Sequence, residues 1–270
     1  MEQRSTPMGS AGHLLATLRR ARRFSQLELS LQAEVSARHI SFIETGRTQP
    51  SREMVLRLAD VMGLAHRDCN RLMNACGYAP VYTDLPLEEA AMAPVRHALK
   101  MMLDKQDPYP AAVLHNTWDL HLANQSLQRL LSALLPAPSL QGRVNMLEII
   151  FDPHGLRPYM TNWEAIAALL LRRLALQLQT QPKPELTSLM ERLLAMDPPA
   201  NWQTPEPNTW EGPMLTSELL INGQALSVFS TLSSFGTALD AGVQELMIES
   251  YFPADDATRL FFETLAAQAD

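Results

Sequence analysis

The sequence predicts a mainly helical chain in two parts. A five-helix domain built around a helix-turn-helix comes first, then an α+β domain whose helices cover one face of a five-stranded antiparallel sheet. Three observations predict this. Residues 25–51, SQLELSLQAEVSARHISFIETGRTQPS, read as a helix, a three-residue turn, a second helix and a polar, arginine-bearing loop. Apolar residues recur every three to four positions through residue 76. Beyond residue 110, short apolar runs flank a helical block, and one pair of them is joined by Asn222-Gly223, the strongest short hairpin signal.

The first five helices follow in order. Helix one spans about Gly12–Arg23, with Leu14, Leu15 and Leu18 inward. Ser25 and Glu28 form a capping box at the start of helix two, where Leu27 and Leu31, one turn apart, are expected to face inward. Ser36 caps helix three, whose inward residues are Ile40 and Ile43. Helix four starts after Pro50-Ser51, carries Met54, Val55, Leu58, Ala59 and Met62, and ends at Gly63. Helix five runs about Ala65–Cys76 and ends at Gly77.

Helix three leaves Ala37, Arg38, Ser41 and Phe42 pointing away from the core. Such a surface suits the DNA major groove. Arg38 stands near the helix start, and an arginine fork onto guanine O6 and N7 is the commonest specific base contact. Phe42, one turn on, can reach a thymine methyl. Gln26 and Ser36 stand at helix N-termini, where backbone N–H groups favour phosphate. His39, Arg47 and Arg52 flank the groove as phosphate contacts. The spacing S-Q-x-x-L-(x5)-V-S-(x3)-I-S-x-I-E-x-G-R, followed by P-S and an amphipathic helix, resembles the Xre/Cro-type DNA-binding domain of phage repressors. That resemblance implies a partly buried ion pair between Arg19 and Glu44. It also implies a homodimer on an inverted repeat of double-stranded DNA.

Charge distribution points the same way. The chain has 270 residues, 46% apolar and 19% charged, with a net charge of −7. Residues 1–80 hold 11 arginines, no lysine and 7 acidic residues, a net +4; residues 81–270 hold 11 basic and 22 acidic residues, a net −11. A cationic first third on an acidic body fits a protein that meets phosphate at one end. The start, Met1-Glu-Gln-Arg-Ser, precedes no apolar run, so no secretory leader is expected. The longest apolar stretch, Ala165–Leu171, stops at Arg172-Arg173, far short of a membrane span. A cytoplasmic protein is the expectation. Cys69 and Cys76 share a helix face and read as core, with thiol redox sensing as the alternative. No further ligands surround them, and no metal or cofactor is expected.

Residues 10–78 thus form the first domain, 79–94 a linker and 95–270 the second domain. The linker, APVYTDLPLEEAAMAP, lacks periodicity and holds Pro80, Pro86 and Pro94. A helix follows to about Lys105. Strands are expected at Ala111–His115 and Trp118–Leu122. Helices are expected from Asn124 to before Pro136 and at Val144–Phe151, Asn162–Gln179 and Pro184–Met196. A proline-rich loop covers 197–213. Strands at Met214–Ile221, Gln224–Leu232 and Val243–Phe252 and a helix at Asp255–Ala267 close the chain. Two strands, a set of helices and three strands is the order of a PAS-like sensor.

Three segments narrow this further: DPYPAAVLHNTWDLHLAN, FDPHGLRPYMTNWE and LSVFSTLSSFGTALDAGVQELMIESYFPADDAT. With HISFIETGRTQPSREMVLRLAD in the first domain, they resemble the MmyB-like transcription regulators, from about Gly12 to Thr264. The resemblance implies an Xre-type head joined to a PAS-like domain that binds an apolar small molecule such as a fatty acid. It makes repression the favoured sign of regulation. Trp118, Trp163, Phe229, Phe235 and Tyr251 fall in the hallmark segments and can line a cavity or serve as plain core. His154 and Arg157 are the candidates to meet a ligand carboxylate. The chain's 14 methionines suit an adaptable binding surface. Catalysis is not expected: Asp152, His154 and the serines come without a nucleophile elbow, a phosphate loop or a metal signature. The alternative is a second domain that serves only for dimerisation or a protein partner and takes no ligand.

Overall fold

The computed structural model describes residues 8–204 and 214–267. The chain forms two compact units. One contains the residues up to Met92 together with Gly236–Gln244; the other contains Ala93–Phe235 and Glu245 onward.

In the first unit, α1 (Met8–Ala21), α2 (Gln26–Gln32), α3 (Ala37–Glu44), α4 (Arg52–Val61) and α5 (His66–Ala75) enclose one core. Leu15, Leu29, Ile40, Val55, Leu58, Leu72 and Met73 are almost wholly buried in it. Local chemistry sets the helix starts. Ser25 Oγ accepts the Glu28 N–H and the Glu28 carboxylate accepts the Ser25 N–H, a complete capping box. Ser36 and Ser51 cap α3 and α4 in the same manner through His39 N and Met54 N.

One inward stripe differs from the sequence reading. Leu27 and Leu31 are 59% and 69% exposed, whereas Leu29, Ser30 and Ala33 are buried. Both stripes have helical spacing. The core that α2 packs against selects the second stripe, and the small Ala33 permits close packing where a second leucine was expected.

Residues after α5 are held to it. The Asn70 side chain donates to Tyr82 O and accepts from Val81 N and Tyr82 N, and His66 stacks on Tyr82 with ring centroids 3.6 Å apart. The unit also contains α11 (Ala241–Gln244), placed by Asp240. Asp240 Oδ1 accepts Gly242 N and Val243 N, Oδ2 accepts Leu85 N, and Ala241 N donates to Thr83 O. A strand was expected to start at Val243. The Asp240 cap instead winds residues 241–244 into a helical turn.

The second unit opens with α6 (Ala93–Gln106). The sheet comprises β1 (Ala111–His115), β2 (Leu120–Ala123), β3 (Ser217–Ile221), β4 (Gln224–Ser233) and β5 (Leu246–Pro253), all antiparallel, in the order β2-β1-β5-β4-β3. Between β2 and β3 lie α7 (Gln125–Leu134), α8 (Met146–Phe151), α9 (Trp163–Thr180) and α10 (Pro184–Leu194); α12 (Asp256–Ala267) follows β5. Asn124 and Asn145 cap α7 and α8. Ala112 and Leu114 of β1 join the core that these helices form with the sheet. Val113, on the opposite side of the strand, is buried as well, so the second face of the sheet is also covered at β1.

β2 starts two residues later than its apolar pattern indicated, because Trp118 takes a left-handed backbone (φ 68°) and the β1–β2 register shifts between Val113 and Leu114. Asn222 (φ 52°) and Gly223 (φ 81°) turn β3 into β4 with both residues left-handed, the geometry of a type I′ hairpin. The proline-rich loop lies partly outside the described residues.

Candidate nucleic-acid interface and ligand cavity

The placement of α3 is set by its neighbours. Gly12 of α1 lies against the end of α3, and a Cβ there would fall within 3.0 Å of the carbonyl oxygens of Ile43 and Glu44. Only glycine lets the two helices approach this closely. Seven residues on, Arg19 reaches Glu44 twice, from Nε at 2.6 Å and from Nη2 at 2.9 Å. Arg19 Nη1 also donates to Phe24 O at 2.7 Å, and Gln26 Nε2 donates to Glu44 Oε2 at 2.7 Å. Burial opposes the Glu44 charge, but the hydrogen bonds from Arg19 and Gln26 and the charge of Arg19 outweigh it, holding the carboxyl below its usual range. The Gln26 side chain, read in the sequence as a phosphate ligand, is thus engaged with Glu44.

With Ile40 and Ile43 buried, the far side of α3 presents Arg38 exposed and Ala37, His39, Ser41 and Phe42 half-buried. Two guanidinium groups lie over the Phe42 ring, Arg38 at 5.0 Å and Arg47 at 5.6 Å from its centroid. Backbone bonds from Arg47 N and Thr48 N to Phe42 O fold the following loop back onto this side. Ser36 and Arg52 stand exposed at the starts of α3 and α4. The product is a cationic surface in which two arginines contact one aromatic ring.

The second unit contains an apolar cavity of about 70 Å³ between the sheet and α7, α8 and α12. Leu127, Leu131, Met146, Met160, Leu219 and Tyr251 are among its walls. Of the seven ligand candidates named from sequence, Tyr251 alone lines it. Trp118 and Trp163 are buried, with indole N–H groups donating to Gln177 Oε1 and Ile150 O. Arg157 lies 3.7 Å over the Trp163 ring, donates to Met196 O and pairs with Asp197. His154 is exposed on a turn closed by Asp152. Phe229 stacks on Phe252 at 5.3 Å, on the sheet face opposite Tyr251. Phe235 is half-buried just beyond β4.

Sequence reasoning passed over the cavity walls on α7, α8 and α12, because an apolar helix face has the same pattern whether it packs or lines a void. It also passed over Glu249, which is 9% exposed in the middle of β5. The available signal was an acid at an inward position of an apolar strand.

Cys69 and Cys76 are free and buried, and burial raises both thiols above their usual range. No cluster of His, Cys, Asp and Glu among the described residues could hold a metal. None of the described helices is long and apolar enough to cross a membrane.

Residues 95–265 match the model of the MmyB-like transcription regulator ligand binding domain, and residues 10–77 match a helix-turn-helix domain model. The search of curated proteins gives no match. Two solved structures share parts of the chain. The crystal structure of the clp gene regulator ClgR from C. glutamicum is 25% identical over 28% of this chain and 96% of its own, with a TM-score of 0.24. An RNA-binding light-oxygen-voltage receptor is 16% identical over 98% of this chain and 64% of its own, with a TM-score of 0.25. Scores this low carry no argument about fold.

Proposed function

The chain belongs to the MmyB-like family of DNA-binding transcription regulators, and from that premise we propose that it binds an inverted-repeat operator as a homodimer and represses transcription until an apolar effector binds. Arg38 and Phe42 read base edges with Ala37 and Ser41, and Ser36, His39, Arg47 and Arg52 hold phosphates. One observation carries this reading. The side of α3 opposite Ile40 and Ile43 is cationic and accessible, with the Arg38 and Arg47 guanidinium groups over the Phe42 ring. The protein acts in the cytoplasm, where its operator is.

The effector is of the fatty-acyl kind and enters beside Tyr251. The cavity, about 70 Å³, is roughly half the ~150 Å³ that admits benzene. An acyl chain therefore enters by displacing unbranched or half-buried neighbours such as Met160, Leu130 and Leu156. The same small volume favours a second reading, in which this unit only dimerises or holds a protein partner.

Selection of bound duplexes from a random pool, followed by titration at fixed salt, tests both parts. The expected outcome is a two-fold symmetric sequence bound by two chains, with an affinity that changes when an acyl compound saturates the protein. Binding indifferent to sequence overturns the operator reading. Operator binding indifferent to every acyl compound leaves the second reading.

A further inference from the structure

The second unit holds another cavity, a cleft along α9. Its volume is about 760 Å³, within the roughly 300–1,000 Å³ usual for small-molecule sites. Ala165, Ala168 and Arg172 line it at three- and four-residue spacing, so they share one side of α9. Met160 and Trp163 are also among its walls.

The cleft and the small apolar cavity stand back to back. Met160 is a wall of both. Trp163 of the cleft donates its indole N–H at 2.9 Å to the carbonyl of Ile150, a wall of the cavity. Asn162 of the cleft donates to Thr216 O at 2.8 Å and accepts Glu218 N at 3.0 Å, on either side of Ser217, another wall of the cavity. These bonds fix much of the partition. Met160 is the part that can yield, because an unbranched thioether side chain repacks easily.

The two spaces differ in character. The cavity is apolar and, at about 70 Å³, too small for an acyl chain as it stands. The cleft carries a cation. Half-buried Arg172 donates from Nη1 to Trp202 O at 2.9 Å, and among the described residues no acid pairs with it. A guanidinium has more N–H donors than that single bond uses. Glu164 also lines the cleft, exposed near the start of α9, about 12 Å along the axis from Arg172.

We propose that the two spaces form one effector site divided by Met160: the acyl chain passes Met160 into the apolar cavity, and its carboxylate stays in the cleft on Arg172. This rests on the reading of the second unit as an acyl-compound sensor and assigns the partner of the ligand's head. Trp163 and Arg172 are about 13 Å apart along α9, and the guanidinium is nearer than that, because helical side chains lean toward the N-terminus. An extended chain with its head on Arg172 therefore runs past Ala168 and Ala165 to Met160. The planar arginine fork matches a carboxylate with two parallel hydrogen bonds. One guanidinium balances one negative charge. A doubly charged phosphate head would leave excess charge in a cleft that already contains Glu164.

Isothermal titration of the full chain with decanoate and decanol at neutral pH, each below its micelle concentration or solubility limit, tests this. Decanoate is expected to bind at least about tenfold more tightly than decanol, equivalent to about 1.4 kcal/mol. Arg172→Gln is expected to reduce that gap to about threefold or less while the thermal melt stays cooperative. Arg172→Lys, which keeps the charge but loses the fork, is expected to narrow it as well, and gives the comparison should Arg172→Gln fail to fold. Met160→Ile, similar in volume but stiff at χ1, is expected to weaken both compounds by about fivefold or more. Decanol binding as tightly as decanoate overturns the proposal and leaves the sensor reading standing. A gap unchanged by the Arg172 variants, or affinities unchanged by Met160→Ile, does the same. If neither compound binds, the sensor reading itself fails, and this proposal fails with it.

Discussion

Arg19 and Glu44 meet through two hydrogen bonds, 2.6 and 2.9 Å, at a point where both side chains are under one-tenth exposed. The pair ties α1 to Glu44, the last residue of α3. A buried ion pair is weak evidence of net stabilisation, but removing one partner leaves the other stranded. Glu44→Ala is expected to destabilise the first unit by about 3–5 kcal/mol, with the loss appearing in urea unfolding followed by circular dichroism. An unchanged midpoint with altered operator preference would place Glu44 at the DNA instead.

The same pair gives the first unit an acid limit. The folded Glu44 carboxyl titrates below its unfolded value, so its contribution is fully present above the ordinary glutamate range, about 4.3. That contribution is lost as pH falls through the lower folded value. Asp240 has the same sign: burial opposes its charge, but hydrogen bonds from Thr83 and from the Leu85, Val243 and Gly242 backbone prevail. Urea midpoints measured against pH are expected to be flat near neutrality and to fall on acidification. Glu44→Gln should remove part of that fall. A slope identical in the variant would assign the acid sensitivity elsewhere.

The readable parts of the sequence were those whose cause is local. Ser25 with Glu28, Ser36, and Asn222-Gly223 each place a cap or a turn through neighbours within three residues. What failed depended on distant neighbours. The choice between Leu27/Leu31 and Leu29/Ala33 is made by what α2 packs against. The start of β2 is moved by the Trp118 backbone and a shifted register. The cavity is bounded by three helices and the sheet, so nothing local marks it. Arg157 looked like a carboxylate ligand because its hallmark segment is conspicuous, yet its guanidinium is taken up by Trp163, Met196 and Asp197.

Gly12 offers a steric check on the α1–α3 contact. Adding one methyl puts carbon against two backbone carbonyls, neither of which can rotate away. Gly12→Ala raises intrinsic helix propensity, which alone would stabilise α1 by about 0.8–1 kcal/mol. The clash is expected to outweigh this, in the range of about 1–3 kcal/mol for overpacking. Melting should therefore occur at a lower temperature than in the parent chain. A higher melting temperature would mean that α1 and α3 are farther apart than described.

Burial of Cys69 and Cys76 makes both thiols slow nucleophiles, since the reactive species is the thiolate. Iodoacetamide at neutral pH is expected to label neither in the native protein and both in urea. Rapid native labelling of either would support the redox alternative.

Phe42 contacts both Arg38 and Arg47, and this arrangement separates two roles that a simple loss of binding would confuse. Arg38→Ala is expected to cost about 1–3 kcal/mol against the preferred operator and to relax selection at one base position. Arg47→Ala is expected to weaken all sequences alike and to lower the dependence of affinity on salt by about one phosphate contact. Phe42→Ala removes the ring that both guanidinium groups contact, so it should do some of each. A double-mutant cycle between Arg38 and Phe42 is then expected to show coupling of about 0.5–3 kcal/mol, as for residues in contact. If the two substitutions are additive, the ring contacts a base independently of Arg38, and the thymine methyl becomes its target.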